Sequence, residues 1–281
     1  MGRPQVPTLG AVPEGDSVWR AARRLDRGLA GRVLARSDFR VPQHATADLS
    51  GRTVLGTVTH GKHLLTRLDG ELTLHTHLRM DGEWTVLGPG RRLPRRLVPD
   101  IRVELLTTDD RRGLALRMPV VELVRTRDEE RLTSHLGPDP LRDDWDPTEA
   151  VRRLAARPDR PLAAALLDQR TLAGLGNLWV NELLFVRGHS PWTRAGDVDG
   201  GALVALARRM LRQSITVRGN GQVTTGNPRS GEEHWVYGRS GQPCRRCRTP
   251  LRHVPETPGD PERRATWWCP RCQPGPSPEL S

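Results

Sequence analysis

The sequence predicts an α+β protein in which an N-terminal β-sandwich with a leading helix precedes a helical region and a C-terminal zinc-finger β-hairpin. Short alternating apolar segments between glycine-containing turns predict the sandwich. Apolar residues at helical spacing predict the second region, and two cysteine pairs predict the hairpin. We expect five segments: a leader 1–12, a sandwich domain 13–140, a helical domain 141–235, a zinc finger 236–273 and a tail 274–281.

The first half of the chain begins with a helix and continues in strands. Over Asp16–Ala30 the apolar residues fall on one face at helical spacing, and Gly31 can end the helix. Asp69-Gly70 is a strong hairpin signal between two strand candidates. Six strands are predicted, over Thr53–Val58, Leu64–Leu68, Leu72–His75, Trp84–Leu87, Ile101–Leu106 and Val120–Val124.

The second half changes to helical spacing around residue 140. Four helices are predicted, over Pro147–Arg157, Pro161–Leu167, Leu178–Arg187 and Gly201–Arg218. Two of them are joined by a turn in which Gly174 and Gly176 permit a tight bend and Asn177 opens the next helix. Backbone N–H groups there, with an asparagine amide, can bind a phosphate. The alternative is a helix hairpin whose glycines only solve packing.

The charge of the chain indicates a polyanionic partner. With 44 basic and 33 acidic residues the net charge is +11, which is typical of nucleic-acid binding. The alternative is the codon bias of a high-GC genome, because Lys62 is the only lysine and every other basic residue is arginine. No apolar run of about 20 residues predicts a membrane span, and the N-terminus lacks a signal-peptide core. We expect a cytoplasmic protein.

The cysteines form a metal-binding pattern. Cys244-x-x-Cys247 and Cys269-x-x-Cys272 place two thiolate pairs at two turns, which together complete a tetrahedral shell. Four thiolates with no open position favour a structural zinc ion that stabilises a segment too small for its own core. Two disulfides are the alternative.

Five motifs in order along the chain resemble those of the formamidopyrimidine-DNA glycosylase/endonuclease VIII (Fpg/Nei) family. The Leu166–Asn177 segment is similar to the family's helix–two-turn–helix motif. The other four motifs are Pro13-Glu14, Gly61-Lys62-His63-Leu64-Leu65, His77-Leu78-Arg79-Met80-Asp81-Gly82, and the finger with Val236-Tyr237-Gly238-Arg239 and Arg264–Gln273. The base-contacting loop, about Gly219–His234, does not closely match the loop of the 8-oxoguanine-type enzymes, and Thr107–Met118 contains no Arg-x-Phe pair. Both points favour the endonuclease VIII branch and oxidised pyrimidines as substrates.

The resemblance implies a base-excision-repair enzyme that excises a damaged base and then cuts the strand. Pro13 is the implied nucleophile: as an N-terminal secondary amine it forms a cationic iminium that drives elimination of the flanking phosphates. Glu14 is the implied general acid–base group, the alternative being an acid that serves a helix N-terminus. Lys62 is the implied proton donor and phosphate contact, a task for which arginine is poorly suited.

The resemblance also implies a DNA-binding surface for double-stranded DNA with damaged bases or abasic sites, bound by a monomer. Asn177 and Arg264 clamp phosphates around the flipped nucleotide, with Gly176 and His77 beside them. Met80 enters the gap that the flipped base leaves, the alternative being a buried core residue.

Pro13 is internal in the chain as written, so its nitrogen is an amide without a basic lone pair. We expect translation to start at Val12, read as the initiator methionine, with the methionine then removed before Pro13. A second departure from the family is Ser17, where an acid is frequent. Two other functions stay open: a non-catalytic damaged-DNA-binding protein of the same fold, and an RNA-binding zinc-ribbon module. Trapping with borohydride on abasic DNA discriminates the enzyme from the first of these.

Overall fold

A computed structural model describes residues 13–217 and 222–278, so the leader 1–12 lies outside the described residues. The helices are α1 (Gly15–Leu29), α2 (Glu130–Thr133), α3 (Pro147–Ala155), α4 (Leu162–Leu167), α5 (Asn177–Arg187) and α6 (Gly200–Thr216). The strands are β1 (Leu34–Phe39), β2 (Val54–His60), β3 (His63–Leu68), β4 (Leu72–His77), β5 (Glu83–Leu87), β6 (Ile101–Thr107), β7 (Arg112–Leu116), β8 (Val120–Arg125), β9 (Arg252–Val254) and β10 (Thr266–Trp268). Among these residues no helix has the length and apolar character that crossing a membrane requires.

The first half is the predicted sandwich with its leading helix. Two four-stranded antiparallel sheets, in the orders β1-β6-β7-β5 and β2-β3-β4-β8, enclose one apolar core. The apolar face of α1 is buried in that core through Val18, Leu25 and Leu29. Gly70 has a φ of +68°, as the predicted turn between β3 and β4 requires.

Two strands of the sandwich were absent from the sequence prediction. β1 reads Leu-Ala-Arg-Ser-Asp-Phe and buries only its two end residues, so apolar alternation is missing. β7 is a five-residue strand that is buried at four successive positions, a pattern that periodicity does not distinguish from a helix. Pairing with β6 defines both strands, because β6 lies between them and satisfies their backbone hydrogen bonds.

The helices of the second half pack around their own core. Leu162, Leu166, Trp179, Leu203 and Leu211 are among its buried members. The four predicted helices are confirmed with end shifts of one or two residues, and residue 218 lies outside the described part of the chain. The N-cap aspartates of α3 and α6 accept backbone N–H bonds, which stabilises those helix starts.

The C-terminal hairpin packs against α5 and completes the fold. β9 and β10 pair antiparallel, and Phe185 of α5 lies in one apolar cluster with Val236, Leu251 and the cysteines. Arg246 extends over the rings of Phe185 and Trp235 at 4.4 and 5.1 Å from their centroids. The finger is therefore positioned by the helical region, next to the turn that opens α5.

Candidate active site and metal centre

Three glycines bring the first helix, the β2–β3 turn and the turn before α5 into contact. Gly15 N donates to Gly174 O at 2.8 Å, and a Cβ on Gly15 would lie 2.9 Å from Gly174 Cα. A Cβ on Gly61 would lie 3.3 Å from Gly174 N, and both Gly61 and Gly174 have positive φ. No side chain fits between these backbones, so the glycines place Glu14 and Lys62 beside the N-terminus of α5.

Glu14 is fully buried at that N-terminus. Its carboxylate accepts hydrogen bonds from the backbone N–H groups of Gly176, Leu178 and Trp179 at 3.0, 2.7 and 3.2 Å. Burial raises the pKa of Glu14 to about 7, with Lys62 opposing the rise and the charge of Asp16 adding to it. A carboxyl group that changes protonation near neutral pH is suited to general acid–base work.

A second carboxylate anchors the turn that carries Lys62. Asp139 accepts from Gly61 N at 2.7 Å and from Leu141 N at 2.8 Å, which pins the β2–β3 turn to the start of the helical region. Burial lowers the pKa of Lys62, and the nearby Glu14 carboxylate opposes that fall. A lysine with a lowered pKa exchanges its proton more readily than an exposed one.

Arg264 comes to the same site from the finger. Asp260 holds its guanidinium in a two-point contact, with Nε–Oδ2 at 2.8 Å and Nη2–Oδ1 at 2.7 Å. The charge of Arg264 lowers the pKa of Lys62, and the charge of Glu14 acts on Arg264. Glu14, Lys62 and Arg264, three of the predicted site residues, therefore lie close enough for their charges to interact.

Part of the predicted phosphate site at the start of α5 is occupied by the protein itself. The N–H of Gly176 is bonded to Glu14, so it is not available to a phosphate in this structure. The anion that this helix N-terminus favours is supplied by the protein itself. Asn177 opens the helix as predicted, and its Nδ2 donates to Ala265 O at 2.8 Å, directly beside Arg264.

The predicted wedge Met80 lies on the turn after β4, and His77 is the last residue of that strand. Met80 is 64% exposed, so the alternative of a buried core residue is wrong. A Cβ on Gly82 would lie 2.7 Å from Leu78 O, which restricts this tight turn to glycine. His77 Nδ1 accepts from Arg79 N at 3.0 Å, which leaves Nε2–H as its donor. Burial lowers the pKa of His77 to about 4, assisted by the charges of Arg79 and Lys62.

Four buried acids of the structure were not recognised as functional from the sequence. Asp139 and Asp260 position Lys62 and Arg264. Asp16 forms a hydrogen-bond network behind Glu14. Glu182 accepts from the backbone N–H groups of Trp235, Val236 and Tyr237 at 2.8, 2.8 and 2.9 Å. Acids on otherwise apolar helix faces, as Glu182 in α5, are the one sequence signal that could have indicated such roles.

The four cysteines form the predicted cluster. All four Sγ atoms lie within 4.8 Å of one another, with Cys244–Cys272 at 3.9 Å and Cys247–Cys269 at 3.4 Å. Four thiolates around a tetrahedral zinc ion lie about 3.8 Å apart, whereas a disulfide requires about 2.05 Å. The cysteines are free of disulfides, so that alternative is wrong and the donor set fits zinc. The backbone N–H groups of Arg246 and Cys272 donate to the sulfurs of Cys244 and Cys269, and such hydrogen bonds orient thiolates that bind a metal ion.

Comparison with known proteins agrees with this arrangement. The formamidopyrimidine-DNA glycosylase N-terminal domain matches residues 12–118, and the formamidopyrimidine-DNA glycosylase H2TH domain matches residues 136–225. A protein of Streptomyces coelicolor named probable endonuclease 8 2 is 50% identical, with 95% of this chain and 96% of that protein covered. A protein of Mycolicibacterium smegmatis named DNA-(apurinic or apyrimidinic site) lyase Nei2 is 43% identical, with 93% and 99% covered.

The fold is also that of a solved structure. Lactococcus lactis formamidopyrimidine-DNA glycosylase, crystallised with DNA that contains an abasic site, superposes with a TM-score of 0.74 at 23% identity. The superposition covers 93% of this chain and 100% of that one. The names of the two bacterial relatives confirm the predicted endonuclease VIII branch. The chain belongs to the formamidopyrimidine-DNA glycosylase/endonuclease VIII family of DNA-repair enzymes.

Proposed function

We propose that this protein is a bifunctional base-excision-repair enzyme, a DNA glycosylase with abasic-site lyase activity that removes oxidised bases. The observation that carries the proposal is the buried Glu14 carboxyl, which is hydrogen-bonded to the N-terminus of α5, interacts with the charge of Lys62 and is next to Pro13 in the chain. The relatives named endonuclease 8 2 and abasic-site lyase Nei2 support it.

The proposed reaction begins at the Pro13 nitrogen. Its lone pair attacks C1′ of the damaged nucleotide, the N–C1′ bond forms, and the glycosidic bond breaks so that the base departs with a proton. Glu14, with a pKa near neutrality, gives and takes the protons at the sugar ring. The nitrogen then loses its N–H proton, Glu14 protonates O4′, and the C1′–O4′ bond breaks, so that the ring-opened sugar is held as a cationic iminium. Loss of the C2′ proton then expels the 3′ phosphate (β-elimination), and a second elimination expels the 5′ phosphate (δ-elimination).

This chemistry requires a free amine at Pro13. We propose that the working enzyme begins there, by initiation at Val12 and removal of the methionine. The N-terminal family match begins at residue 12, and 93% of this chain covers the whole length of the endonuclease 8 2 of Mycobacterium tuberculosis. Intact-mass measurement of the natively expressed protein is the direct check. An active natural enzyme that still carries residues 1–12 would refute this start site.

The proposed division of labour follows the segments 13–140, 141–235 and 236–273. The sandwich supplies Lys62, His77 and the wedge Met80, the helical domain supplies Asn177, and the zinc finger supplies Arg264 for the phosphates around the flipped nucleotide. Their supporting geometry is the convergence of the β2–β3 turn, the start of α5 and the finger loop. Oxidised pyrimidines are the proposed preferred lesions.

Borohydride trapping tests the function. A protein that starts at Pro13 is incubated with abasic double-stranded DNA and reduced, and a covalent complex through the Pro13 nitrogen is the expected result. The same protein with residues 1–12 retained is the matched control and should not trap. A Pro13-started protein that binds damaged DNA but never traps would favour the non-catalytic binding function instead.

A further inference from the structure

Asp16 is a fully buried carboxylate to which the proposed chemistry assigns no role. It accepts hydrogen bonds from Trp179 Nε1 at 3.0 Å, Ser214 Oγ at 2.6 Å and Gln222 Nε2 at 3.0 Å. Arg20 Nη1 pairs with it at 3.2 Å. A carboxylate with four donors is stable without solvent, because each lone pair that burial removes from water finds a partner.

These donors come from separate parts of the chain. Trp179 belongs to α5, and its own backbone N–H binds Glu14. Ser214 lies in the last turn of α6, where Arg20 also bonds its hydroxyl at 3.0 Å. Gln222 is the residue at which the described chain resumes after 217, and it is only 5% exposed. Asp16 thereby joins the end of α1 that carries Pro13 to the segment 222–234 before the finger.

Other hydrogen bonds tie the start of the segment 222–234 to its own end and to α5. The hydroxyl of Thr224 bonds the Glu182 carboxylate, and Gln222 O bonds His234 Nε2 at 2.8 Å. Within the described residues, the hydrogen bond from Gln222 Nε2 to Asp16 is the contact that links Gln222 to the N-terminal end of α1. A change in the position of Gln222 would therefore act on Asp16, in the first turn of α1 and three residues after the proposed nucleophile Pro13.

We propose that Asp16 is a positioning and specificity-determining residue that holds Gln222, and with it the segment 222–234, against the end of α1 that carries Pro13 and Glu14. This inference rests on the proposed function. It follows that excision of a base depends on the Asp16–Gln222 contact, whereas strand cleavage at a preformed abasic site, which has no base to hold, does not.

The first test is Gln222→Met, which keeps the side-chain volume and removes the donor to Asp16. Gln213→Met, at an exposed position on α6, is the matched control. We expect single-turnover excision of an oxidised pyrimidine to fall about 10-fold in Gln222→Met, as loss of a hydrogen bond to a charged group implies. Cleavage of preformed abasic DNA should stay within about 2-fold of wild type.

The outcomes separate this inference from the proposed function. Equal loss of both reactions in Gln222→Met, or loss of neither, overturns the role of Asp16 while an active wild type retains the proposed function. A wild type that neither excises bases nor cleaves abasic DNA contradicts the proposed function and the inference that rests on it.

The second test uses the charge of Asp16. Asp16→Asn keeps an acceptor for Trp179 or Gln222 but removes a negative charge that raises the pKa of Glu14. Lys62, Arg264 and Tyr237 also interact with Glu14 and are unchanged. The limb of the pH–rate profile for excision that reports Glu14 should therefore move to lower pH. A limb that stays in place while the rate falls would show a purely structural residue and overturn the inference.

Discussion

Two buried glutamates bind backbone N–H groups in nearly the same way, yet their surroundings differ. Glu14 accepts three such bonds from the start of α5, and Glu182 accepts three from the segment that opens the finger. Both side chains are 0% exposed. Lys62 and Asp16 act on the charge of Glu14, whereas Glu182 is completed by the Thr224 hydroxyl. Hydrogen bonding alone therefore does not distinguish the carboxyl proposed to be reactive from the other one. The difference is that Glu14 interacts with Lys62 and Asp16 and adjoins Pro13, whereas the charge that interacts with Glu182 is that of Arg239.

The largest expected difference between the two sites is in rate. Glu14→Gln in a protein that starts at Pro13 should lower base excision by about 100- to 10,000-fold, because a general acid–base group is removed. Glu182→Gln should lower it by less than about 10-fold, since no reacting atom is contacted. Single-turnover kinetics on DNA with one oxidised base measures both. Equal losses in the two variants would contradict the distinction.

Zinc removal should disrupt the contacts of Glu182 with the finger before it affects the surroundings of Glu14. The N–H donors to Glu182 open the finger, and zinc binding supplies the folding free energy of small cysteine modules, about 10 kcal/mol or more. A chelator should abolish DNA cleavage through loss of the Arg264 loop, while the near-neutral titration of Glu14 persists. Zinc content, cleavage and amide exchange of residues 235–273 report this, with Glu14→Gln as a zinc-retaining control. Full cleavage by metal-free protein would contradict it.

The structural role of Glu182 should be seen in stability rather than in rate. Glu182→Gln removes a charged acceptor from three buried N–H groups, so the free energy of unfolding should fall by about 1–3 kcal/mol. For a chain of this size that corresponds to a fall in Tm of roughly 2–4 °C per kcal/mol. Glu149→Gln, which removes a surface acid of α3 that pairs with Arg152 and Arg153, is a matched control whose Tm should fall by less than that of Glu182→Gln. An unchanged Tm in Glu182→Gln would contradict a structural role for Glu182.

The last expected effect concerns the pH dependence of stability. The pKa of Glu14 is raised by burial to about 7, so between about pH 4.5 and 7 the folded state binds more protons than the unfolded state. The free energy of unfolding therefore loses a Glu14 contribution as pH rises through this window. Denaturant titrations at a series of pH values give the free energy of unfolding of wild type and Glu14→Gln. Plotted against pH, the two curves should have different slopes inside this window and the same slope outside it. Parallel pH curves for the two proteins would contradict the raised pKa.

Much of the fold was predictable because its signals are local. Helical spacing in α1 and the turn at Gly70 concern neighbours within a few residues, and the structure confirms both. β1 and β7 were missed since their strand character depends on pairing with β6. The cysteine pairs were predictable as a zinc site because the spacing within each pair already sets two ligands on one turn.

The sequence by itself determined the order of the motifs, the residue types at the site and the only lysine of the chain. Tertiary structure alone decided what each of them contacts. Glu14 meets α5 across 162 residues and Asp16 meets Gln222 across 206, distances over which no periodicity carries information. The N-terminus of α5 was predicted for a phosphate but binds Glu14, because the packing of three glycine backbones brings a carboxylate of the chain to the same anion site.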